Sequence, residues 1–373
     1  MVTLAVFPND ALFAYVQKGE VKPRYFNPTD LFSRVHVFTF TKKEAPLRDV
    51  QTMFGSADVT LHELGHINLL NYRRMAEVAA DELASCKCDV VRAYNPLLQG
   101  YAASVAAERC GLPFVLSVHS NYDHDARAMA LAEAGLGLYL KLLYTKWFVE
   151  PRVIERADVT ICAYRFVEEY VRRRPHRAVR TIYNRVYLDE YRSPPREHEP
   201  LVVITVGRLD RPRNHGTLVR AAIDAEVKLL VVGDGPERER LASLAKGHED
   251  MITFIPKVPH GEIAGLYTAC DVFALAMKYG GISIPVLEAM AAGLPLVLPR
   301  ENIDGDIDVV RGAALLVEND HRSFAHAFRL LKDPGLRAKL GEEARKLSMK
   351  FEASALEEEE AEVYRSLLRL RRG

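Results

Sequence analysis

Leu201-Val202-Val203-Ile204-Thr205-Val206-Gly207-Arg208-Leu209 is a run of mostly β-branched residues that stops at a glycine and turns into a guanidinium. It is short enough for one strand and apolar on both faces, the pattern of a strand inside a parallel sheet. Arg213 and Asn214 follow, and a helical period begins near His215. Strand, glycine turn and helix in this order open a βαβ unit. The turn then lies at the carboxyl end of the strand, beside a helix N-terminus, where open α/β sheets bind anions. Arg208 and Arg213 in that place suit a diphosphate. Spacing alone allows equally that both are ordinary surface charges.

The same alternation runs outward in both directions. Strands are expected at 4–7, 35–40, 89–93, 114–118, 158–163 and 179–183 in the first half, and at 201–206, 228–232, 252–255, 272–275, 296–298 and 314–317 in the second. Helical periods separate most of them, so the fold class is α/β with two doubly wound, Rossmann-like domains. A chain of 373 residues is the right length for two cores. The polar stretch 191–200, carrying Pro194-Pro195, reads as the linker. Domains are therefore expected at 1–190 and 191–352, with a helical tail at 353–373 whose acidic start and basic end match a helix dipole.

Charge and cysteine usage narrow the function classes. Fifty basic and fifty acidic residues cancel, which gives no global pull towards nucleic acid. Five scattered cysteines fit a reducing compartment, and the expected localisation is cytoplasmic. The opening Leu4-Ala5-Val6-Phe7 reads as a strand rather than a secretion signal, and no apolar run is long enough to span a bilayer. The basic stretch from Arg172 to Arg177, with Arg180, is either a solvated loop or a peripheral contact with the inner membrane face.

Gly233-Asp234-Gly235-Pro236 imitates a dinucleotide fingerprint, but Arg238 stands where the third glycine belongs. A structural turn is the better reading. The segment from Lys278 to Pro295 pairs a glycine loop with a short apolar helix bearing Glu288. Paired glycines let backbone N–H groups approach a ligand, and the helix start favours phosphate. Glu288 in that apolar helix needs a partner, either ribose hydroxyls or a structural cation.

Gly207-Arg208-Leu209 with Arg213, the 233–236 turn, Pro259-His260 ahead of 266–272, and Ile284 to Pro295 together resemble, in order, the family 4 retaining glycosyltransferases. The first half matches through Val118-His119 and through 157–159 to Asn184. The resemblance implies a GT-B type fold: two facing Rossmann-like domains with a final helix crossing back to the N-terminal one. It implies a nucleotide-diphosphate sugar of UDP or GDP type as donor, and a saccharide, lipid-linked or small-molecule acceptor. No metal or other cofactor is expected. Arg208 and Arg213 would hold the diphosphate, Glu288 the ribose, Gly281 and Ile282 the sugar and phosphate through their backbone, and His119 the transferred sugar. Lys18 and Gly19 are the nearest substitute for the family's acceptor-side glycine pair.

The sequence also departs from the family. A second glutamate normally stands eight residues before the one at Glu288, and here that place is Gly280. The change would enlarge the sugar pocket, leave a contact to water, or mark a catalytically silent nucleotide-sugar-binding homologue. Arg213 replaces a usual lysine, and Ser283 a usual glycine. A competing motif, His62-Glu63-Leu64-Gly65-His66, has the form of a zinc hydrolase helix. Its surroundings lack the expected third ligand. Asp123 with Asp125, and Asp304 with Asp306, imitate a metal signature common by chance.

Overall fold

The computed structural model describes residues 2–123, 135–191, 198–278, 280, 282–302 and 304–372. The chain forms two compact units, Met1–Tyr183 with Ser354–Gly373, and Asn184–Ala353. Residues just after Tyr183 go with the second unit because Val186 bridges Glu352 and its N–H donates to the Phe351 carbonyl at 2.8 Å.

In the first unit, β1 (Thr3–Phe7), β2 (Arg34–Thr39), β3 (Asp58–Glu63), β4 (Val90–Ala93), β5 (Phe114–Val118), β6 (Val159–Cys162) and β7 (Ala178–Thr181) form a parallel sheet in the order β3-β2-β1-β4-β5-β6-β7. β1, β4 and β5 are buried along their whole length, as strands in the middle of a covered sheet must be. β3 was not among the expected strands. Its residues are exposed or half-buried at the sheet edge, so it lacks the apolar run that marks its neighbours.

The last helix, Ala353–Arg372, completes this unit. It buries Tyr364, edge-on to Phe32 at 5.0 Å. Glu357 accepts from Arg24 Nε at 2.7 Å and from the Thr29 N–H at 3.2 Å. Glu360 pairs with Arg92, a cation almost wholly buried, which also donates to the Ser117 hydroxyl at 2.7 Å.

The second unit holds β8 (Val202–Val206), β9 (Lys228–Val232), β10 (Ile252–Ile255), β11 (Val272–Ala274), β12 (Leu296–Pro299) and β13 (Ala314–Val317), in the order β10-β9-β8-β11-β12-β13. All pairs are parallel, and each strand lies where the sequence places it. Its core gathers Val203, Leu218, Leu229, Phe324 and Phe328 around the sheet. The strand order reverses between β1 and β4 in one sheet and between β8 and β11 in the other. At such points the loops leaving the carboxyl ends part to opposite faces and open a crevice.

Candidate functional site

The carboxyl end of β8 carries the first pieces. Gly207 lies at φ 154, and the Arg213 guanidinium folds over it, its Nη1 3.4 Å from where a β-carbon on Gly207 would sit. That Nη1 is buried and has no hydrogen-bond partner among the described residues. Asp210 fixes the Arg213 backbone by accepting its N–H at 3.1 Å. Asn214, in the left-handed region at φ 53, then turns the chain into the helix His215–Ala225. Arg208 is exposed, its nearest carboxylate being Asp210 at 3.7 Å.

A residue missed in the sequence holds this loop. His215 is buried, with Nε2 3.3 Å from the Arg208 carbonyl and Nδ1 3.5 Å from the Thr205 hydroxyl. A carbonyl only accepts, so Nε2 carries the proton and Nδ1 takes the hydroxyl. Burial pushes the ring down to about 4, against the raising effect of the bond to the Arg208 carbonyl, with Arg213 nearby lowering it further. The imidazole is therefore a neutral brace.

The 233–236 turn is structural, as its composition suggested. A β-carbon at Gly233 would lie 2.0 Å from the Gly207 carbonyl oxygen, and one at Gly235 would lie 2.4 Å from that of Leu209. The two glycines let the turn after β9 press directly on the arginine loop.

Across the switch point, the segment after β11 carries Gly280, at φ 90, and Ile282, which is buried. Gly281 lies outside the described residues. Ser283 precedes the helix Ile284–Ala291, and its hydroxyl is buried without a partner among the described residues. Glu288, 5% exposed on that helix, accepts from the Tyr267 hydroxyl at 3.0 Å. A phenol is thus one of the partners this buried carboxylate needs. Tyr267 was not foreseen, because nothing in Leu266-Tyr267-Thr268 announces a partner 21 residues away.

The loops are stitched together. The Lys278 N–H donates to the Pro212 carbonyl at 2.8 Å, Asn214 donates to Asn319 at 3.3 Å, and Asn319 donates to the Met277 carbonyl at 3.1 Å. Beside this seam opens a hollow of about 410 Å³ lined by Asn214, Lys278, Glu301, Glu318, Asn319 and Asp320. Three carboxylates against one ammonium suit hydroxyl groups better than a diphosphate. The arginines and Glu288 are not among its walls.

The remaining expected residues lie in the first unit. His119 follows β5 and stacks on Tyr94 at 6.0 Å, with its Nε2 buried and without a partner among the described residues. Burial, with a smaller effect from Arg92, pushes this ring down to about 4, so it is neutral near pH 7. Lys18 ends the helix Leu12–Lys18 and is paired with Asp10 at 2.5 Å. Gly19 is the left-handed cap of that helix at φ 65, a sufficient structural reason for glycine.

The competing motif does not form a helix. His62 and Glu63 end β3 and His66 follows in a loop, so the two imidazoles are not one helical turn apart. Asp123 is engaged by Arg174 at 2.8 Å and Lys146 at 2.9 Å, which, against its burial, hold its carboxyl down at about 2. Asp125 lies outside the described residues. Arg172, Arg173, Arg174 and Arg177 each have a carboxylate partner, which leaves less free charge for a membrane surface.

The family model for Glycosyltransferase Family 4 matches residues 33–190, and that for Glycosyl transferases group 1 matches residues 189–347. The chain belongs to glycosyltransferase family 4. This transferase is 30% identical over 317 residues to a D-inositol 3-phosphate glycosyltransferase of Acidothermus cellulolyticus, covering 74% of this chain and 66% of that one. It is 26% identical over 326 residues to the alpha-D-kanosaminyltransferase of Streptomyces kanamyceticus, covering 80% and 81%. Anabaena HepE, solved in complex with UDP, matches with a TM-score of 0.73 at 16% identity, and its UDP-glucose complex with 0.72 at 15%, each over 98% of the transferase and 100% of that chain. The fold is of the GT-B type, with a Rossmann-like sheet in each unit. No helix among the described residues is long and apolar enough to cross a membrane.

Proposed function

We propose that the transferase moves a sugar from a UDP- or GDP-type donor to a saccharide, lipid-linked or small-molecule acceptor in the cytoplasm, with retention of configuration and without a metal or other cofactor. The observation that carries this reading is Arg213, whose buried Nη1 has no hydrogen-bond partner among the described residues and lies over Gly207 at the start of a helix. An unsatisfied buried guanidinium N–H is costly, and a diphosphate oxygen would satisfy it. Arg208 would meet the same diphosphate from the solvent side. Glu288, already taking one hydrogen bond from Tyr267, would accept further ones from ribose hydroxyls.

In this reading the chemistry is electrostatic. The two arginines neutralise charge as it builds on the departing diphosphate, while neutral His119 orients the sugar by a hydrogen bond and moves no proton. Gly280, standing where the family usually has a carboxylate, would leave the sugar pocket wider on that side. Replacing Arg208 by alanine should lower kcat by about 100- to 1,000-fold. Arg213→Ala should weaken UDP or GDP binding in titration calorimetry, and equal nucleotide affinity in wild type and variant would overturn the assignment. The anomeric configuration of the product, read by NMR, tests retention separately.

A further inference from the structure

The motif that failed as a hydrolase helix leaves an unexplained cluster in the first unit. His36 on β2 and His62 on β3 project from the same face of the sheet, since His62 is paired with Phe38, two residues beyond His36. The Nδ1 of His36 and the Nε2 of His62 are 2.9 Å apart. Cys86 closes the helix Tyr72–Ser85, and its Sγ lies 3.8 Å from the same His62 Nε2. These three ligand atoms all lie within 4.8 Å of one another. A tetrahedral zinc-class ion, with bonds near 2.0–2.1 Å to nitrogen and 2.3 Å to sulfur, sets its ligand atoms about 3.3–3.6 Å apart. The observed spacings bracket that value.

We propose that His36, His62 and Cys86 form a binding site for a thiophilic divalent transition ion of the zinc class. The outer contacts fit. His62 presents Nε2 to the cluster while its Nδ1 lies 2.8 Å from Glu82, the carboxylate–histidine arrangement that fixes the tautomer and orientation of a metal ligand. Phe38 stacks on the ring at 4.5 Å and keeps it from turning. Two imidazoles and a thiolate are a soft set that suits zinc and copper rather than magnesium or calcium. Cys86 would bind as the thiolate, so uptake of the ion releases a proton. Cys88 is not among the gathered ligand atoms, and its Sγ faces the Cys86 carbonyl at 3.9 Å. The ion would tie the end of a helix to the edge of the sheet, and no role in sugar transfer is assigned to it.

The test uses full-length, tag-free protein stripped with chelator and titrated with Co²⁺, followed by Zn²⁺ in competition. One Co²⁺ per chain is expected, with a thiolate-to-cobalt charge-transfer band and tetrahedral ligand-field bands that zinc abolishes. Cys86→Ser should lose the charge-transfer band, and Glu82→Gln should weaken binding about 10- to 100-fold. His62→Ala should abolish binding. Should that variant not fold, Cys86→Ser carries the test, as a single-atom change on a half-exposed helix cap. If wild-type protein takes up cobalt no better than Cys86→Ser, the proposal falls, and the pair is a hydrogen-bonded imidazole relay ending at Glu82.

Discussion

A β-carbon at Gly233 would meet the Gly207 carbonyl oxygen at 2.0 Å, and both atoms belong to backbone that cannot rotate aside. Gly233→Ala should therefore destabilise the second unit by about 1–3 kcal/mol and loosen the arginine loop. Nucleotide affinity should fall along with the melting temperature. A variant that lost neither would show that the loops can separate freely. His215 gives a second test. Its folded value of about 4 is below its ordinary 6.5, so the unfolded chain takes up a proton first as pH falls. The stability from keeping the ring neutral is present above pH 6.5 and is lost between 6.5 and about 4, up to roughly 3 kcal/mol. Denaturant unfolding at several pH values in that window should show a shallower slope for His215→Gln than for wild type.

Among elements, the final helix shows most directly what its packing contributes. Arg92 is buried and depends on Glu360 from that helix. Glu360→Ala leaves an uncompensated buried cation and should cost about 3–5 kcal/mol. Glu358→Ala, which removes only an exposed pair with Arg365 on the same helix, should leave the denaturation midpoint unchanged. Equal effects from the two would deny the buried pair its role.

Legibility in the sequence also varied element by element. Each strand of the second sheet was readable because it is a short run of mostly apolar, β-branched or leucine residues between helical periods. β3 was unreadable because Asp58, His62 and Glu63 make an edge strand look like a loop. Arg213 could be placed from the strand–turn–helix order alone. His215 and Tyr267 could not, since their partners are the Arg208 carbonyl and the Glu288 carboxylate, which only the folded chain brings near. A lone glutamate in an apolar helix announces that a donor exists, and pairing across the fold decides which one.

At the scale of the whole molecule, the first unit draws on both ends of the chain, with the second unit as a continuous segment between them. A fragment of residues 1–353 should retain the sheet of the second unit while the first is destabilised, since Arg24 and Arg92 both lose their carboxylate partners. A peptide of residues 354–372 added in trans should recover protection from proteolysis in residues 2–123. Protection of the fragment without the peptide would mean that the first unit is self-sufficient.

That order of assembly also bears on how the protein is made. A ribosome releases residues 184–353 before it releases the helix that neutralises Arg92, so the earlier half must wait, incomplete, through the synthesis of an entire second core. During that interval its buried-to-be cation and the ring of Phe32 face solvent or a chaperone. Translation speed and chaperone supply, rather than equilibrium stability, would then govern the yield of soluble enzyme on overexpression.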